Sequence, residues 1–219
     1  MKKLILLFAI AVSATAVQAQ TASGTLFAGG SLGFNSSSNK IKVGSNSTDD
    51  WKTSQFFFNP TVGYFVADKT AVGVMATFTN EKRTEFFANN DKTVTTETPI
   101  NVGVFARRYF MLNDQFGFTG TLGVYGILGG SEEEDYDASS NTTTVDKFNN
   151  RGFGAAITAG PVWFATPHIG LEANVGLIGF RSETITQENT NPEVSMTESG
   201  FNFGLSTMSL NFGFHYYFF

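Results

Sequence analysis

Arg107 and Glu172 are the residues of this sequence whose types and positions best suit buried electrostatic work. Each lies in an alternating run, Phe105-Ala106-Arg107-Arg108-Tyr109-Phe110 and Leu171-Glu172-Ala173. Each falls on the polar phase of its run, close to a short turn. A charge on the inner face of a narrow β structure is costly alone, because a low-dielectric interior cannot solvate it. The two are therefore expected to pair across an interior. Such a pair either fixes packing or gates an interior pathway.

Other chemistry is thinly supplied. The chain has two histidines and no cysteine, which excludes disulfides and thiolate metal sites. His168 falls in a short turn and His215 near the carboxyl terminus. Both belong at the end opposite the Ser- and Asp-rich loops, so no histidine is placed to activate a nucleophile there. The expectation is no catalysis and no cofactor. Glu132, Glu133, Glu134, Asp135, Asp137 and Asp146 form an acidic group in one loop. It could bind divalent cations, but it lacks the glycine and ligand spacing of a calcium loop. A solvated acidic loop is the simpler reading.

The elements that must position these residues are strands. Met208, Leu210, Phe212, Phe214, Tyr216 and Phe218 recur at every second position, with Ser209, Asn211, Gly213 and His215 between them. Period two marks a β-strand with one oily and one polar or small face. The same pattern predicts seven earlier strands. Strand one covers about 24–35, strand two about 54–66, and strand three carries Val72, Val74, Ala76 and Phe78. Strand four carries Ile100, Val102, Val104, Ala106 and Phe110. Strand five places Phe116, Phe118, Leu122, Val124 and Leu128 on one face. Strand six carries Phe153 to Trp163, strand seven Leu171, Ala173, Val175 and Leu177, and strand eight ends the chain.

Long polar connections (36–50, 81–95, 131–149 and 182–199) alternate with short turns. Eight strands of roughly 12–16 residues joined in this way fit an up-and-down transmembrane barrel, and they exceed the usual strand of a globular sheet. Composition agrees: 23 Gly and 24 Phe in 219 residues, with only 15% charged. The polar face is Gly, Thr, Ser and Asn, whereas soluble exteriors carry many Lys and Glu. Tyr64, Trp163, Tyr109, Phe110, Phe116 and Tyr216 cluster at the short-turn end, as an aromatic girdle at one bilayer interface would. Asn59, Thr61, Thr77, Asn101, Thr121, Thr158 and Asn174 fall inward as a polar filling.

Residues 1–19 read as a cleaved signal peptide: Lys2 and Lys3, an apolar core from Leu4 to Ala16, and cleavage after Ala19. Residues 20–219 form the barrel. Losing both lysines takes the formal charge from −5 to −7. An acidic chain with no basic patch is unsuited to nucleic acid.

The 60–65 and 161–164 strand ends, the 105–110 and 171–173 runs and the aromatic terminus resemble the small eight-stranded outer-membrane barrels of the OmpA and OmpX type. The resemblance spans the mature chain. It implies an all-β, eight-stranded antiparallel barrel in the bacterial outer membrane. The implied partners are outer-membrane lipids and lipopolysaccharide, an unidentified surface ligand, and the barrel-assembly machinery acting on the carboxyl-terminal strand. The implied function is a filled barrel with a structural or surface-interaction role through four long extracellular loops. The alternative is a narrow channel for small or hydrophobic molecules. Family members usually end on an outward aromatic; here the oily phase ends at Phe218, so Phe219 either overhangs or marks a bulge.

Overall fold

Alternation becomes a closed wall of antiparallel strands in the computed structural model, which describes residues 20–43, 46–87, 90–190, 192–204 and 211–219. The expected signal peptide, and Met208 to Leu210, lie outside these. The strands are β1 (Leu26–Val43), β2 (Asn46–Ala67), β3 (Thr70–Phe86), β4 (Lys92–Glu97), β5 (Ile100–Met111), β6 (Phe116–Asp137), β7 (Thr142–Thr166), β8 (Ile169–Gln187), β9 (Ser195–Phe203) and β10 (Asn211–Phe218).

These ten segments make eight barrel strands. β4 and β5 both lie between β3 and β6 and form one strand interrupted at Thr98-Pro99. Proline has no N–H to give a ladder, so a break there is natural. β9 and β10 both pair with β8 and make the last strand. The barrel closes where β10 pairs with β1, from Leu26 opposite Phe218 to Leu32 opposite Phe212. No register shift interrupts that seam. The last strand ends at Phe218, and Phe219 folds over the His168 ring, 4.5 Å between centroids. It overhangs.

The long polar loops expected from the sequence are largely strand. β1 and β2 stay paired up to Val43 opposite Asn46, and β6 and β7 up to Asp137 opposite Thr142. Polar residues occupy both faces there, which erases the alternation. Threonine still favours the extended backbone, as in Thr142-Thr143-Thr144-Val145. Asn90, Asn141 and Asn189 take positive φ where the β3–β4, β6–β7 and β8–β9 hairpins reverse, a conformation asparagine tolerates better than most residues. At the other end the links are short: Asp68-Lys69, 112–115 and Pro167-His168.

The outer wall carries an apolar band. It begins at Tyr64, Phe110, Phe116, Trp163 and Tyr216, all exposed, and ends at a second aromatic ring missed in the sequence: Phe34, Phe56, Phe78, Phe153, Phe180 and Phe201. Cross-strand register joins much of this ring, with Phe34 opposite Phe56, Phe58 opposite Phe78 and Phe180 opposite Phe201. At about 3.3 Å per residue and a tilt of about 40°, the rise from Phe110 to Ile100 makes a band about 25 Å tall. Water would not cover so much exposed oil; bilayer hydrocarbon does.

Candidate functional site: the barrel lumen

The short-turn end of the lumen is packed shut. Phe27, Phe65, Tyr109, Phe164 and Tyr217 are buried together with Ala71 and Val162. Their rings meet at centroid distances of 5.2–6.3 Å, and the Tyr109 and Tyr217 hydroxyls are 3.1 Å apart. Offset and edge-on contacts of this kind are the favoured geometries of aromatic pairs. Room for such rings comes from glycines directly opposite. Phe27 faces Gly63 and Phe105 faces Gly73 across the ladder. A Cβ on Gly63 would stand 2.3 Å from the Phe27 ring. From below, Gln20 is buried and its Nε2 donates to the Thr166 carbonyl at 3.1 Å, while the Lys69 N–H donates to the Thr21 carbonyl at 2.7 Å.

Above this floor lie Arg107 (β5) and Glu172 (β8). The Arg107 Nη1 donates to both Glu172 oxygens at 3.0 Å, and its Nε donates to Thr121 Oγ1 at 2.9 Å. The guanidinium also lies over the Phe27 and Phe105 rings, at 5.8 and 5.3 Å. Asn174 Nδ2 donates to Glu172 Oε2 at 3.2 Å, and His215 Nδ1 stands 3.4 Å from Oε1. Both charged side chains are almost fully buried. Multiple hydrogen bonds to each ion are what such burial requires.

Beyond the pair the lumen opens into a cavity of about 430 Å³ lined by amides and hydroxyls, among them Gln55, Asn59, Asn101, Thr121, Thr158 and Asn174. Phe57, Met75, Phe105 and Tyr125 complete the wall. The inward polar residues expected as a filling thus line a space. Only the short-turn end is filled.

Higher still, above the apolar band, the inner wall turns acidic. Register sets Glu81 opposite Glu97, Glu133 opposite Asp146 and Glu183 opposite Glu198. Like charges directly opposite destabilise a ladder. Burial, reinforced by the Glu81 and Glu183 carboxylates, raises Glu97 above the ordinary carboxylate range. Burial with Asp135 and Asp146 does the same to Glu133. Arg83 and Arg181 face inward with them, bonded to Glu85 and Glu183 at 2.8 and 2.5 Å. Lys52, Lys82, Lys92 and Lys147 fall on the opposite phase and face out.

One residue assigned to the girdle is elsewhere. Tyr109 is 1% exposed and sits in the floor, because it shares the phase of Arg107, two residues away. Tyr64, Trp163, Phe110, Phe116 and Tyr216 do lie on the outer wall. The acidic group read as one loop is divided by strand phase: Glu133, Asp135, Asp137 and Asp146 face in, Glu132 and Glu134 out. His168 bonds the Tyr217 carbonyl through Nδ1 at 2.9 Å and stacks on Tyr216 and Phe219. The acidic mouth went unread because its pairs sit on separate hairpins that only closure of the barrel gathers around one opening.

Residues 18–185 match the family model described as outer membrane protein beta-barrel domain. Among solved structures the chain is similar to OprG from Pseudomonas aeruginosa, 17% identical, covering 90% of this chain and 97% of that one, with a TM-score of 0.49. It is also similar to Neisserial surface protein A, 17% identical over 89% and 97% of the two chains, with a TM-score of 0.37. Yersinia pestis Ail is 14% identical over 90% and 99%, with a TM-score of 0.28. No curated protein matches the chain.

Proposed function

Because this chain belongs to the outer membrane protein beta-barrel domain family, and so to the bacterial outer membrane, we propose that it is a non-conducting barrel whose hairpins meet the cell exterior. One observation carries this reading: the floor of Phe27, Phe65, Tyr109, Phe164 and Tyr217 is buried, ring-packed and capped by the Arg107–Glu172 pair. Small membrane barrels put short turns in the periplasm and long hairpins outside, so the floor seals the periplasmic end. The role is structural or one of surface interaction, without catalysis. Outward lysines just above the upper aromatic ring suit lipopolysaccharide phosphates. The aromatic strand β10 suits the assembly machinery.

The test is conductance of the purified, refolded protein in planar bilayers. The expected result is no sustained opening. Stable single-channel steps would overturn the reading. The cavity supports a second reading, a narrow channel, in which the floor has to move. Sustained steps in the wild-type protein, abolished by a cross-link that locks the floor, would establish it.

A further inference from the structure

Two side chains in the upper lumen are buried with an oxygen that nothing satisfies. Asn150 is 5% exposed and its Oδ1 has no partner; Glu183 is 9% exposed and its Oε1 has none. They stand on neighbouring strands, β7 and β8, one inward step apart: Glu183 is opposite Gly152, and Asn150 is opposite Ile185. One step below, Gly154 is opposite Tyr125, which lines the cavity. Two more orphan oxygens, Asn59 Oδ1 and Asn101 Oδ1, belong to cavity residues. Buried polar atoms are rarely left without partners. Here the unmet oxygens are all acceptors, and so they call for a donor.

We propose that the upper lumen binds a small organic cation, a primary amine or diamine, with an ammonium group at Glu183 and Asn150 and the rest of the molecule in the cavity. An ammonium offers three donors and no acceptor, which matches the orphan set. Glu81 and Glu97 add negative charge at the same mouth. A cleft lined by one sign of charge concentrates the opposite ion. The lysines of this end face outward; Arg83 and Arg181 face inward, each bonded to one carboxylate, and are outnumbered by the inward Glu81, Glu97, Glu133, Asp146 and Glu198. Arg181 already bonds Glu183 Oε2, so the proposed contact is to Oε1; a neutral polyol would bring no charge to this net acidic wall, and an anion would be repelled. No three metal-type ligands converge among the described residues, which favours an organic cation over a bare metal ion. Binding of this kind does not depend on whether the floor conducts.

The experiment is calorimetric titration of the detergent-folded barrel with 1,4-diaminobutane, 1,4-butanediol and calcium chloride. The expected result is saturable binding of the diamine, none of the diol, and weakening at high salt. Glu183→Gln should weaken the diamine about tenfold or more, since it removes a charge-assisted bond. The outward control Glu132→Gln should bind as wild type. A boiling-dependent gel shift checks that each variant is folded, and Glu97→Gln replaces Glu183→Gln if the latter is not. Absence of diamine binding, equal binding of diol and diamine, calcium binding in place of the diamine, or undiminished binding in the folded glutamate variant would each overturn the proposal.

Discussion

At the short-turn end of the lumen, Arg107 gives Glu172 two hydrogen bonds with the two side chains 9% and 0% exposed. At the hairpin end, Arg83 holds Glu85 with both side chains 40–50% exposed. The residue types are the same; their surroundings are not. The first pair is boxed in by rings that need glycines opposite them, while the second lies on a wall open to solvent. What differs is the inward neighbours: Phe and Tyr opposite Gly below, Thr, Asn and Glu above. One set of strands thereby builds a plug and a vestibule in series.

The comparison is broken most directly by removing one arginine at a time. Arg107→Ala strands a buried carboxylate and should cost about 3–5 kcal/mol. Arg83→Ala should cost less than about 1 kcal/mol. Urea unfolding in detergent, followed by tryptophan fluorescence, reads both; equal losses would mean that the two ends are not physically distinct. A smaller contrast lies in the glycines. Gly63→Ala drives a methyl into the Phe27 ring, whereas a Cβ at Gly200 meets nothing within 4 Å. Overpacking of the first kind costs about 1–3 kcal/mol, and a surface change of the second stays within about 0.5 kcal/mol. The same unfolding curves decide whether the floor is as tightly filled as its ring contacts imply.

The smallest effect is at the tip of the β6–β7 hairpin. The Ser139 hydroxyl and N–H donate to Asp137 Oδ1 at 2.7 and 2.8 Å, and the Ser140 N–H donates at 3.2 Å. These bonds hold the carboxyl down at about 2, against an ordinary 3.8. The folded value is depressed, so the contribution is complete above the ordinary value and is lost as pH falls through about 2. The Ser139 amide resonance should titrate with that midpoint, and Asp137→Asn should flatten it. A midpoint near the ordinary value would mean that the tip is not ordered by these bonds.

Much of this plan was legible from residue order. Alternation gave the strands and their faces, and parity put Arg107 and Glu172 on one interior. The same parity also governs Tyr109. Consecutive aromatics, Tyr109-Phe110 and Tyr216-Tyr217, drew attention to composition, although neighbours on a strand must point opposite ways. The upper hairpins hid because residues polar on both faces carry no period-two signal. The acidic mouth hid for another reason: Glu81 faces Glu97 across one hairpin and Glu183 faces Glu198 across another, and only closure of the barrel gathers those hairpins around one opening.

The seam between β1 and β10 has a kinetic side. Leu26 meets Phe218 across nearly the whole chain. Bringing such distant ends together carries a closure entropy on the order of 5 kcal/mol, before any bond of that ladder repays it. Every other neighbouring pair is joined by a hairpin and can zip locally. The wall should therefore assemble as an open sheet with two bare edges, and the first–last junction should form at the end. Until then both edges are free to pair with another strand, so the interval before closure is when this chain is most exposed to aggregation and most dependent on help.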